Sequence, residues 1–293
     1  MKFHLLSAVA AAALLLGTAA HAGPVIIDGT DSADHGTGIL VGNSGVTATN
    51  TLGWEYMQRA LTNLGGAVSG SVQKTLQVIG TNTNSTSYNA ITSAFALSGL
   101  GGAGWNILYV QGAVAINAFM AGLSTGNTGI LYLSTAGLVS GDMDAAELGA
   151  VNAAAGQINN YVSGAGNPAQ GGALFAQGET GTGGFGWLST LIPGIVSTDV
   201  GGGGLGTDIL LTAAGFAEFP GLTNADLAGA DPWHTHFSGN LGGLSVLGAT
   251  AAGQSVIIGG GAGTVISVPE PGSLVLVAMA GLALLGARRR LVK

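Results

Sequence analysis

Short runs of β-branched and aliphatic residues recur along this chain, each followed by a stretch with helical spacing, and that alternation restricts the fold more than any other feature. Val25-Ile26-Ile27 leads into Asp28, and Thr75 to Ile79, Asn106 to Val110, Gly129 to Leu133 and Gly171 to Ala176 follow. Between them Trp54 to Leu64 places Trp54, Met57, Leu61 and Leu64 on one helical face, with Glu55 and Arg59 on another. Tyr88 to Leu97, Val114 to Leu123 and Asp142 to Val162 read as further helices, the last with Asp142, Asp144 and Glu147 in its first turns, where the helix dipole favours negative charge. Strands that are apolar throughout need cover on both faces. The pattern therefore predicts an α/β body, a three-layer parallel sheet with flanking helices.

Of 293 residues, 54 are glycine, 47% are hydrophobic and only 7% are charged, so solubility rests on Ser, Thr, Asn, Gln and exposed backbone. From Gly23 to Ser267 thirteen acids stand against two bases, Arg59 and Lys74, a formal charge of −11. Two cations cannot neutralise a run of phosphates, which excludes a nucleic-acid partner. With no cysteine the chain has no disulfide, no thiolate metal site and no thiol nucleophile.

The ends differ from the body. Residues 1–22 run from Lys2 through an apolar stretch, Leu5 to Leu16, to Ala20-His21-Ala22, a small-x-small site that predicts removal by signal peptidase after Ala22. Residues 268–293 begin Val268-Pro269-Glu270-Pro271-Gly272, continue apolar from Ser273 to Ala287 and close on Arg288-Arg289-Arg290. Fifteen helical residues rise about 22 Å against a hydrocarbon core of about 30 Å, so a single C-terminal membrane helix is expected to span only marginally. The arginines would hold its cytoplasmic end and leave 23–267, the globular body, outside.

Pro269-Glu270-Pro271, the apolar stretch and the arginine cluster together resemble the PEP-CTERM sorting signal of bacterial exported proteins. The resemblance implies an exosortase that recognises Pro269, Glu270 and Pro271, with Arg288, Arg289 and Arg290 as stop-transfer charge. It further implies transient residence in the inner membrane, delivery to the cell surface or extracellular matrix, and exopolysaccharide or biofilm as the setting. The body loosely resembles the class I glutamine amidotransferase-like fold, within the flavodoxin-like architectures. The likeness lies in the Gly129 to Leu133 strand, the acid-started helix, Tyr161-Val162, Gly171-Gly172-Ala173-Leu174-Phe175 and Phe219-Pro220-Gly221-Leu222. The elbow position of that fold, near Ala176-Gln177-Gly178, has no cysteine, which removes amidotransferase chemistry.

Two segments concentrate functional groups. Asp28-Gly29-Thr30-Asp31-Ser32-Ala33-Asp34-His35 follows the first strand, and its carboxylates Asp28, Asp31 and Asp34, with His35, could gather Ca²⁺ or another hard cation at the sheet edge. The alternative is a polar loop whose Asp side chains bond their own backbone. Asp231-Pro232-Trp233-His234-Thr235-His236 sets His234 and His236 two apart, on one side of an ideal strand, a spacing that suits Zn²⁺. Glu179 is a candidate acid/base partner for His234. No complete catalytic motif accompanies these groups, and no catalytic residue is singled out. The leading expectation is a noncatalytic binding or structural protein of the envelope or matrix. The alternatives are a metal-dependent hydrolase using Asp28, Asp31, His234 and His236, and a carbohydrate-binding surface protein using tryptophans such as Trp233.

Overall fold

A computed structural model describes residues 23–39, 49–68, 72–83, 85–134, 142–165, 171–178, 184–200, 209–228 and 233–260. The leader 1–22, the tail 268–293, Glu179 and Asp231 lie outside the described residues. In chain order, β1 (Val25–Asp28) is followed by a small pair, β2 (Gly36–Thr37) with β3 (Thr51–Leu52), and then by α1 (Gly53–Ala67). Next come β4 (Thr75–Ile79), α2 (Thr86–Leu97), β5 (Asn106–Val110), α3 (Ala113–Ala121) and β6 (Ile130–Leu133). Two helices, α4 (Ala145–Ala153) and α5 (Ala155–Ser163), break at Ala154 where one was expected, and lead to β7 (Ala173–Gln177). The remainder is α6 (Leu188–Leu191), β8 (Ile195–Asp199), β9 (Ile209–Leu211), α7 (Ala213–Glu218), α8 (Asn224–Ala228), β10 (Thr235–Gly239), β11 (Ser245–Thr250) and β12 (Ser255–Gly260).

The sheet corrects the expectation of an all-parallel architecture. Strands β5-β4-β6-β7-β1 are parallel, but β12 pairs antiparallel with β1 and carries β10, β8, β11 and β9 beyond it, also antiparallel. Connection length accounts for the β11–β12 pair: four residues join them, enough for a hairpin reversal but far short of the dozen or more that a parallel crossover needs. Numbered in chain order, the parallel strands read 3-2-4-5-1. A flavodoxin-like sheet reads 2-1-3-4-5, so here the first strand lies at the far side of the fifth, not inside.

Side chains alternate across this sheet with period two. Ile26, Leu76, Val78, Ile130, Tyr132 and Phe175 pack under α1 and α2, while Ile27, Ile79, Leu131, Leu133, Leu174 and Ala176 pack under α3 to α6. Handedness accounts for the division. Crossovers that advance from β1 towards β5 use one face, those that return use the other, and each stays right-handed. Continuous apolar runs thus marked β6 and β7, which are buried throughout, but β5, expected to be covered in the same way, is an edge strand and partly exposed.

Membrane anchoring through a C-terminal helix is likewise corrected. Among the described residues no helix is long and apolar enough to cross a membrane. The apolar stretch 273–287, on which that expectation rested, lies outside them.

Candidate functional site

Asp28 ends β1 in register with Gln177, which ends β7. Both point to the α1 side of the sheet, where Tyr132 from β6 and Tyr56 from α1 close over them, and all four are buried. Tyr132 Oη donates to Gln177 Oε1 at 2.7 Å, and Gln177 Nε2 donates to Asp28 Oδ2 at 3.0 Å. Thr30 donates twice, from its amide to Asp28 Oδ1 at 2.9 Å and from its hydroxyl to Asp28 Oδ2 at 2.8 Å. Ser32 Oγ lies 2.5 Å behind the Thr30 hydroxyl. Every donor in the chain points towards the carboxyl group. Burial nevertheless dominates and pushes the Asp28 pKa up to about 7, against the hydrogen bonds from Gln177 and Thr30. Burial also holds the Tyr56 and Tyr132 phenols well above the usual tyrosine range, with the Asp28 charge contributing to both.

Asp31 forms a second cluster on the same loop. Its Oδ2 lies 3.1 Å from His35 Nε2 and 3.3 Å from His234 Nε2, while Oδ1 is buried without a hydrogen-bond partner among the described residues. Burial raises the Asp31 pKa, but the two imidazoles more than offset it, and the net value falls below the ordinary carboxylate range. His35 moves up, chiefly through its hydrogen bond to Asp31 and against its own partial burial. Its side chain is 30% exposed, so it is the member of this trio that reaches solvent.

The backbone explains how His234 arrives there. Thr30 and Trp233 form an isolated bridge, and the Gly29 carbonyl accepts from the amides of both His234 and Thr235. The approach is close enough to require glycine, since a Cβ at position 29 would stand 1.9 Å from the Thr235 carbonyl oxygen. Two successive amides sharing one carbonyl is not strand geometry. The two-residue alternation therefore starts only at Thr235, and His236 does not join His234; it packs edge-on against Trp233 at 6.0 Å.

Asp28, Asp31, His35 and His234 thus share one corner of the sheet's carboxyl edge, with Asp34 in the adjoining turn through its amide to the Asp31 carbonyl. Of the expected metal-ligating residues, His236 packs against Trp233, and Asp28 is hydrogen-bonded by Thr30 and Gln177. Among the described residues no group of three or more His, Asp or Glu is disposed to hold a metal ion. Trp54, Trp105, Trp187 and Trp233 are all buried, at most 7% exposed, which removes the stacking platform expected of Trp233. Gln177, Tyr132 and Tyr56 escaped the sequence reading as site residues. The available signal was an amide closing the otherwise apolar strand ALFAQ.

Open α/β sheets usually take ligands where strand order reverses, here between β4 and β6. There Met143 packs against Gly80. The Met143 side chain occupies the space where a Cβ at Gly80 (φ 75°) would lie, and Ser87 Oγ donates to the buried Asp142 at 2.5 Å.

Comparison with known proteins places the informative likeness at the other end of the chain. Residues 267–290 match the PEP-CTERM protein-sorting motif. The chain is an exported, PEP-CTERM-tagged protein, and an exosortase is its processing partner. No curated protein and no solved structure matches the chain. The amidotransferase-like likeness of the body thus draws no support from these comparisons; the body is a mixed sheet with flanking helices.

Proposed function

We propose that this protein is delivered by exosortase sorting to the cell surface or extracellular matrix, where its body serves a binding or structural role and not a catalytic one. The sorting motif at 267–290 carries the reading. Two features of the body support it. The elbow position after β7 holds Gln177, an amide engaged by Tyr132 and Asp28 and unable to act as a nucleophile. At the switch point Met143 packs closely against Gly80. A surface sparse in charged residues and rich in Ser, Thr and Asn suits a polysaccharide matrix, and signal peptidase acts at Ala22 before the exosortase acts on the tail.

The test compares the chain with a variant carrying Pro269→Ala, Glu270→Ala and Pro271→Ala, in a host with its exosortase intact and in one lacking it. The expected result is a shortened, released body only where triplet and exosortase are both present. Equal release in all four combinations overturns the sorting half of the proposal. Turnover of a glycan or ester substrate that is lost on His35→Ala overturns the noncatalytic half.

A further inference from the structure

β5 closes one end of the sheet, bonded to β4 and, among the described residues, to no strand on its other side. The Asn106 amide donates to the Lys74 carbonyl and the Val110 carbonyl accepts from Gly80, so Asn106, Leu108 and Val110 turn their backbone groups to β4. By alternation the N–H and C=O of Ile107 and Tyr109 face outward. Free edges of this kind are normally guarded by lysine, proline or a bulge; NILYV has none of these and no charge.

Beside it, α3 is apolar at every position but Asn117, the composition of a helix covered all round. Yet Ala115, Asn117, Ala118 and Ala121 are exposed, Val114 is 85% exposed, and Leu108, on the α3 side of β5, is 53% exposed. Strand edge and helix form one unpartnered apolar face.

Charge identifies what covers it. A body of charge −11 repels its own copy over most of its surface, and β5 and α3 carry no acid. At the amino end of this edge stands Lys74, exposed, with Nζ on the Ala103 carbonyl. At the carboxyl end Glu147 accepts from the Gly112 amide at 2.6 Å, next to the exposed N-cap Asp144. A two-fold axis through Leu108 sets Ile107 opposite Tyr109 of the second copy, satisfies the outward backbone groups of both, and brings each Lys74 towards the acidic end of the other. We propose that the chain pairs with a second copy of itself through β5, as an antiparallel strand pair flanked by the two α3 helices.

The absence of native cysteine makes the test direct. Leu108→Cys, in the full chain, places two thiols across the axis at a Cα separation of about 4.5 Å, within disulfide range. Mild oxidation is expected to give a covalent dimer from Leu108→Cys and none from Val196→Cys on β8, the exposed edge at the opposite end of the sheet. In sedimentation, Leu108→Lys or Val114→Glu is expected to halve the mass of the associated species without altering the circular dichroism, because both side chains are exposed. Lys74→Glu is expected to weaken association most at low salt. Cross-linking that is equal at positions 108 and 196, a single-chain mass for the unsubstituted protein, or a dimer that survives Leu108→Lys and Val114→Glu overturns the proposal.

Discussion

Replacing Asp28 by Asn tests whether the buried carboxyl group is protonated in the folded protein near neutral pH. Asp28 is fully buried, and its pKa rises from 3.8 to about 7, so between those values the native state holds a proton that the unfolded chain has lost. A raised carboxyl pKa contributes stability that is complete below the unfolded value and disappears as pH rises through the folded one. At 1.36 kcal/mol per unit the full span is roughly 4 kcal/mol, of which about 2–3 kcal/mol falls between pH 5 and pH 8. The Asp28→Asn variant has no such slope. Its amide can also be accommodated, since turning the Gln177 amide presents Oε1 to the new NH₂ while Tyr132 Oη accepts in place of donating. Urea unfolding followed by the fluorescence of the buried tryptophans is the assay. The unsubstituted protein is expected to lose about 2–3 kcal/mol relative to Asp28→Asn on going from pH 5 to pH 8, a relative midpoint shift of about 1 M. Groups common to both proteins, His35 among them, cancel in the difference. Parallel stability profiles over that range refute the reasoning, because they mean that Asp28 ionises in the folded state as it does in the unfolded.

Gly29→Ala is expected to cost about 3 kcal/mol or more in thermal or urea unfolding, because a methyl group cannot share the site with the Thr235 carbonyl and the 28–35 loop must part from 233–235; an unchanged melting temperature contradicts the close approach. His35 and His234 should separate by burial. His35→Ala is expected to cost about 0.5–1 kcal/mol, present below pH 6.5 and lost as pH rises through the raised folded value, because His35 is partly solvated. His234→Ala is expected to cost about 2 kcal/mol or more, because it strips a buried partner from Asp31. Equal effects for the two at acid pH count against the cluster as described.

Much of the sheet was legible because burial writes itself into local sequence. ILYL and ALFAQ are covered on both faces and so are apolar at nearly every position, and α1 shows its stripe because only one side of it meets the sheet. IVSTD and THFSG were not legible, since strands exposed along one side at the rim carry Ser, Thr, Asp and Gly like any loop. The density of acids drew attention to the 28–35 loop, and the structure brings His35 and His234 to Asp31. The alternation that set His236 beside His234 assumed a regular strand, whereas here one carbonyl takes two successive amides and His236 packs against Trp233.

Export and the strands β6 and β7 were legible in the sequence alone: the sorting motif is read residue by residue, and ILYL and ALFAQ are apolar because they are covered, although the equally apolar NILYV lies at an edge. The direction in which β12 meets β1, the free edge at β5, and the union of Asp28 with Gln177 across 149 residues belong to the tertiary structure. Pairing direction depends on where a connection lets the chain return, and a carboxyl group's proton depends on which side chains displace its water. Both are properties of neighbours in space, which order along the chain does not encode locally.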